Sequence, residues 1–231
     1  MTPQLAQEML DKIIGQVFGF KNTLSLDIFM QKYAFDVKLP QLVNDSTTGE
    51  VTWSGSTNPS KFITMANARK RSEDQDLMPA RQLPDVQSVL NAWSEINFMS
   101  TERQNEAMCI AESDNIIQSE NVFRSQFIVR SKNILFSDGM HDSEYVAASQ
   151  RSQTSTFSIK VDDSQNIANS FFVTWSNKVS GSFFINDCFD VTDCMFCTNT
   201  AGKQYCVANM QYTEDEYRRI KDMVVRWILT S

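Results

Sequence analysis

The chain has one histidine and seven glycines among 231 residues, and no cysteine before Cys109. A single histidine, His141, rules out a histidine-built metal triad or any relay that uses two histidines. The glycines form neither a phosphate loop nor a dinucleotide fingerprint. No apolar run approaches the ~20 residues of a membrane span. The N-terminus, Met1 to Glu8, lacks the basic and apolar regions of a secretory signal, so cytoplasmic synthesis is expected. Basic residues are also short: Lys plus Arg number 21 against 28 Asp plus Glu, a net charge of −7. That balance argues against a nucleic-acid partner, which needs clustered cations. The one basic patch, Arg69-Lys70-Arg71, runs into Glu73, Asp74 and Asp76 and reads as a solvated loop.

Against these absences stands one strong pattern. Every third residue from Ile110 to Cys206 is small or apolar, with Lys203 the sole exception. Serine alternates with a branched residue, as in Ser125, Ile128, Ser131, Ile134, Ser137. Neither a helix, with period 3.6, nor a half-buried strand, with period 2, gives a period of three. Bulky neighbours reveal the longer repeat: Phe171-Phe172-Val173, Phe183-Phe184-Ile185 and Met195-Phe196-Cys197 follow one another twelve residues apart. The chain is therefore expected to be mainly β, a narrow β-solenoid of about twelve residues per coil and roughly eight coils. Such a rod would be about 40 Å long. Its lumen holds only small side chains, and each serine hydroxyl can bond a backbone carbonyl, so no buried polar group is left unpaired. The phase slips once, where Ser149, Ser152, Ser155 and Ser158 run together, marking an irregular coil.

The remaining sequence reads as a smaller α+β N-terminal region and two caps. Leu5, Met9, Ile13, Val17 and Phe18 share a helical face over residues 3–18, a second short helix is expected over Leu26–Ala34, and 35–43 with 51–53 reads as a hairpin. Residues 54–82 read as a polar connecting arm, so 1–83 form one region. Asp85 caps a helix bearing Val86, Val89, Leu90, Trp93 and Ile96, a capping segment over 84–100. The solenoid covers 101–209. Thr213 and Glu216 form a capping box that opens a closing helix within 210–231. Caps are expected because an open coil exposes unpaired strand edges.

Candidate chemistry is sparse. Cys188, Cys194, Cys197 and Cys206 fall on the inward ladder, where serine stands in earlier coils. Core filling is the favoured reading, with a zinc site or a disulfide as alternatives, since only one close C-x2-C pair exists. Cys109 stands beside the ladder and reads as packed. His141 occupies a column otherwise held by Ile117 and Val129 and reads as filler. The carboxylate pairs Asp162-Asp163 and Asp187 with Asp190 fit solenoid turns; glycosidases use such pairs, which makes a glycan-acting enzyme the third reading. The lumen is too narrow for all of Phe171, Phe172, Phe183, Phe184 and Phe196, so some form an outer apolar ridge that marks a partner interface, is covered by the N-terminal region folding back, or does both.

The closing segment, Lys203-Gln-Tyr-Cys206-Val-Ala-Asn209-Met-Gln-Tyr212-Thr-Glu-Asp215-Glu-Tyr217, resembles the ending K-x-Y-C-x-x-N-x-x-Y-[ST]-x-E-E-Y of a short-repeat β-solenoid family common in tailed-bacteriophage genomes, departing only at Asp215. The resemblance covers roughly residues 100–231. The upstream zinc ribbon of some members has no counterpart here. The coil length also resembles that of certain insect antifreeze proteins, but Phe with Thr or Asn stands where those carry threonine ladders, which disfavours ice binding. The resemblance implies a phage structural protein located in the virion: a capsid-surface, cement or head–tail connecting component. It would have no enzymatic activity and no cofactor, its partners would be other virion proteins, with a homo-oligomer compatible, and it would contact no membrane. A non-virion interaction module, such as an acidic inhibitor of a host enzyme, is the chief rival.

Overall fold

The computed structural model describes residues 1–58, 61–72 and 77–230; Glu73, Asp74 and Asp76 of the acidic run lie outside them. The protein is mainly β. Residues 104–211 wind into a β-solenoid of about nine turns, twelve residues each, with helices at both termini. The parallel registers step by twelve: Ile116 pairs with Ile128, Ile128 with Met140, Phe171 with Phe183 and Phe183 with Met195.

The period of three has a backbone cause that the side-chain pattern did not reveal. Every third residue from Cys109 to Tyr205 lies in the left-handed region; the non-glycine members have φ between 45° and 60°. Each such residue directly precedes an inward one, so a triplet of outward, left-handed and inward residues makes one side of the coil. The left-handed conformation costs L-residues about 1 kcal/mol or more, least for Asn, Asp and Gly. Asn115, Asn133, Asp163, Asn166, Asp187, Asp193 and Gly181 occupy it accordingly.

Every inward residue from Ser113 to Cys197 is buried. The serine ladder closes the polar account of the lumen. The N–H of Ser137 donates to Ser125 Oγ at 3.0 Å, and that of Ser149 donates to Ser137 Oγ at 3.2 Å. Each inward serine hydroxyl except that of Ser155 in turn donates to the carbonyl two residues earlier, as Ser137 does to Leu135. The phase slip appears as one long strand, Gln150–Asp162. Up to Ser149 the column through Ser125 is serine; beyond it the same column carries Val161, Val173 and Ile185. Serine and branched columns thus exchange places by one triplet, and the coil between them is lined by serine on every side. At this junction Ser155 Oγ has no hydrogen-bond partner.

A second core lies on the outside of the rod. Phe123, Leu135, Ala147, Ile159, Phe171, Phe183 and Met195 form one outward column twelve residues apart and are all buried. Helix α1 (Pro3–Phe18) covers them with Leu10, Ile13, Ile14 and Phe18; it starts at the Thr2 cap and stops at the left-handed Gly19. Helix α2 (Leu26–Tyr33) adds Phe29 and Tyr33. The ring of Phe18 lies 5.2 Å from that of Phe171 and 5.7 Å from that of Phe183. The N-terminal region therefore folds back over the first Phe column, which is one of the two outcomes the sequence left open.

Strand β1 (Gln41–Asn44) pairs antiparallel with β2 (Val51–Ser54), the expected hairpin. Strand β3 (Lys61–Thr64), inside the segment read as an arm, pairs parallel with β4 (Phe98–Thr101) and leads into the short helix α3 (Met65–Ala68). The sequence hides this strand because its partner lies far along the chain and Phe62-Ile63 is its only apolar pair. The module docks on the first coils through Asp114, whose fully buried carboxylate receives the N–H of Gly55 at 2.9 Å and the guanidinium of Arg103 at 2.8 and 3.0 Å.

Helix α4 (Val86–Ile96), capped by Asp85, precedes the first coil, and Ala92 is its only buried residue. The final helix, α5 (Glu214–Thr230), starts with the expected box: Thr213 Oγ1 donates to Glu216 Oε2 at 2.7 Å, and the Glu216 N–H returns to Thr213 Oγ1. α5 lies along the flank of the rod. Its Tyr217 and Lys221 donate to the Gly181 carbonyl, and its Trp227 ring sits 5.9 Å from that of Phe184. The mouth of the last coil is closed by a two-rung hairpin, Cys206-Val207 against Met210-Gln211, where Gln211 Nε2 donates to the Gln204 carbonyl at 2.7 Å.

Candidate functional site

The four C-terminal cysteines lie together in the lumen, all buried and all free thiols. They stand in for serine: the Cys188 N–H donates to Ser176 Oγ at 3.0 Å, while Sγ donates to the Asn186 carbonyl at 3.3 Å. Cys194 and Cys197 make the same thiol bond to the carbonyl two residues back. Burial pushes the Cys188 and Cys206 thiols up, whereas a hydrogen bond from Cys194 brings the Cys197 thiol down to about 6 and raises Cys194 in turn. Among the described residues no group of three or more His, Cys, Asp or Glu side chains is placed to hold a metal ion. Cys109 is exposed, a correction to the packed position expected for it; it is a left-handed outward residue of the first coil.

The Phe columns divide. Phe171 and Phe183 are buried under α1, α2 and α5. Phe172 and Phe196 remain about 40% exposed, with Phe184 between them, stacked on Phe196 at 4.6 Å. Phe171, Phe172 and Phe184, with Phe35, Tyr33 and Trp227, line a cleft of about 190 Å³ that Lys32 and Lys160 border. Lys160 is ion-paired to Asp36, and Lys32 Nζ donates to the Ile228 carbonyl at 3.1 Å.

A second exposed apolar surface is on α4. Val86, Val89, Leu90, Trp93 and Ile96 share one helical face and all are exposed, Val86 by 74% and Trp93 by 56%. The sequence expects this face to lie over the first coil; here it faces outward.

The two carboxylate pairs differ in setting. Arg151 reaches both Asp162 (Nη2, 2.6 Å) and Asp163 (Nε, 2.8 Å). Burial raises Asp162, whereas the Arg151 hydrogen bond holds Asp163 below the ordinary carboxyl value. Both are thus engaged by one cation, a charge-neutralising fork. Asp187 and Asp190 are exposed, and only Asp187 borders a groove. His141 is exposed as well.

That groove follows a corner of the coil. Its first stretch, about 590 Å³, has Asp163, Trp175, Asp187 and Asn199 on one lip and Gln165, Asn177 and Phe189 on the other, with Ser176, Cys188 and Thr200 between them. A second stretch of about 500 Å³, lined by His141, Arg151 and Gln153, shares Asp163 and Gln165 with the first. The sequence gives no sign of it, because its lips belong to columns two residues apart that coil into one line only in three dimensions. No protein-family model, no curated protein and no solved structure matches this chain. No helix among the described residues is long and apolar enough to cross a membrane.

Proposed function

We propose that this chain is a structural component of a phage virion, a stiff rod that works through protein–protein contacts rather than catalysis. The outward face of α4 carries the reading. Five large apolar side chains on an eleven-residue helix stay in water only at a cost, and burying each against a partner is worth about 2 kcal/mol. Two features support the reading further: the half-exposed Phe172–Phe184–Phe196 edge, and a rod whose every coil is bonded to the next, a form suited to a spacer. The closing motif from Lys203 to Tyr217 supports the phage assignment, with the chain made in the host cytoplasm and taken up by other virion proteins, a capsid surface or a head–tail position being the first place to look.

Mass spectrometry of purified particles tests this: the chain is expected among the virion proteins, and its absence ends the reading. A second arm substitutes Leu90→Ser with Trp93→Ser. The double variant is expected to melt like the parent, because neither residue is buried, and to be depleted from particles.

A further inference from the structure

We propose that the outer groove between the Trp175 and Phe189 lips is a binding site for a neutral glycan chain. The groove lies five residues around the coil from the Phe171–Phe183 column, clear of the helices that cover that column. Two aromatic rings stand in it at high exposure, Trp175 at 65% and Phe189 at 47%, the second with Lys178 Nζ 5.2 Å from its centre on one face. Trp175 is not a loose surface residue: its indole N–H donates to Asp163 Oδ2 at 3.3 Å, and Arg151 holds Asp163 in turn through paired bonds of 2.8 and 3.0 Å. An indole fixed from behind with its face to solvent is a stacking platform.

Beside the rings stand Gln165, Asn177 and Asn199 and the carboxylate of Asp187. Amides both donate and accept, and a carboxylate accepts, which is the complement of sugar hydroxyls. A sugar chain offers an apolar C–H face on one side of each ring and hydroxyls around its rim. The groove repeats in the same way: each lip brings one new side chain per coil, at the ~4.8 Å spacing of stacked strands, close to the length of one pyranose unit. From His141 to Ala201 the continuous groove spans five such steps, roughly 24 Å.

Other polymers fit worse. The only Lys or Arg among the lining residues, Arg151, is held by Asp162 and Asp163, and Asp187 adds a negative charge, so the groove offers no free cation to a phosphate backbone or an acidic polysaccharide. An extended peptide needs a free strand edge, and here the backbone is used between coils, as in Asn177 N–H to the Cys188 carbonyl and Phe189 N–H to the Thr200 carbonyl, both at 3.1 Å.

The test is made on the isolated chain, so its outcome is independent of the virion assignment. Neutral oligosaccharides of glucose, of mannose and of N-acetylglucosamine are titrated to millimolar concentration while the indole N–H resonances of the four tryptophans are followed, with heparin as the acidic comparison. The Trp175 signal is expected to move with at least one neutral series and not with heparin. Trp175→Ala should weaken that binding about tenfold, Trp175→Phe should retain it within about threefold, and Trp93→Ala on α4 should leave it unchanged. A Trp175 signal that no neutral series moves overturns the proposal, as does affinity unaltered in Trp175→Ala or tighter binding of heparin.

Discussion

Ser125 and Ser137 stand one coil apart, and the N–H of the second donates to the hydroxyl of the first at 3.0 Å while that hydroxyl donates to the Phe123 carbonyl at 2.9 Å. One side chain thus serves two backbone groups in a space closed to water. Ser125→Ala strands both and should lower stability by about 1–3 kcal/mol in urea unfolding. Ser155→Ala, whose hydroxyl has no partner, should be neutral or stabilising. Equal losses at the two positions would contradict the ladder. Cys188→Ser restores the residue of the preceding coils and should change stability by less than about 1 kcal/mol.

Arg103 compensates a fully buried carboxylate. Besides its guanidinium, its own N–H reaches Asp114 Oδ1 at 3.0 Å. Arg103→Ala leaves that charge without a counter-ion and should cost about 3 kcal/mol, more than the paired Arg103→Gln, Asp114→Asn change. Denaturant titration of the three variants decides this; a harmless single substitution would mean the β1–β4 module docks by other means.

Asp45 makes the same module sensitive to acid. Burial alone would raise its carboxyl, but hydrogen bonds from Thr47, the Thr64 N–H and Asn67 outweigh burial and hold it far below its ordinary value of 3.8. A depressed value means the stabilisation is complete at neutral pH and is lost as the pH falls from 3.8 toward the depressed value. Thermal melts should show the parent losing stability over that window relative to Asp45→Asn, which is weaker at neutral pH but lacks this slope. Parallel curves would contradict the assignment.

Gly181 and Gly202 share a φ of 61°, yet a Cβ at Gly181 would lie 2.7 Å from Asp193 Oδ1, whereas at Gly202 it meets nothing within 4 Å. Asp193 also meets Lys221 of α5, at 3.5 Å. Both alanines carry the left-handed strain of about 1 kcal/mol, but Gly181→Ala should also loosen α5 and lose about 1–2 kcal/mol more than Gly202→Ala, with faster proteolysis of the C-terminal segment. Matching behaviour would show that backbone conformation, not the close approach, sets the requirement.

Much of the rod was legible because its lumen admits so few side chains. Serine and branched residues at every third position, the twelve-residue repeat of Phe-Phe-Val and the four-serine slip all follow from that narrow space. The left-handed column was equally present as Asn115, Asn133, Asn166 and Asp163, each one place ahead of an inward residue, but Phe127, Arg130 and Trp175 occupy the same column and obscure it. The outer apolar column was read only where aromatics announced it; Leu135, Ala147 and Ile159 belong to the same line and would have pointed to its burial under α1. The pairing of β3 with β4 and the Arg103–Asp114 contact depend on distant segments meeting, which spacing alone does not encode. The groove arises from the winding itself.

Amide hydrogen exchange resolved by NMR reads the coil residue by residue. If inward hydroxyls bind the next coil, the amides of Ser137, Ser143, Ser149, Val161 and Ser176 exchange at the rate of global unfolding, and protection falls toward the first and last coils. Rapid exchange at these amides in the folded chain would mean the serines face water and the solenoid is wound some other way.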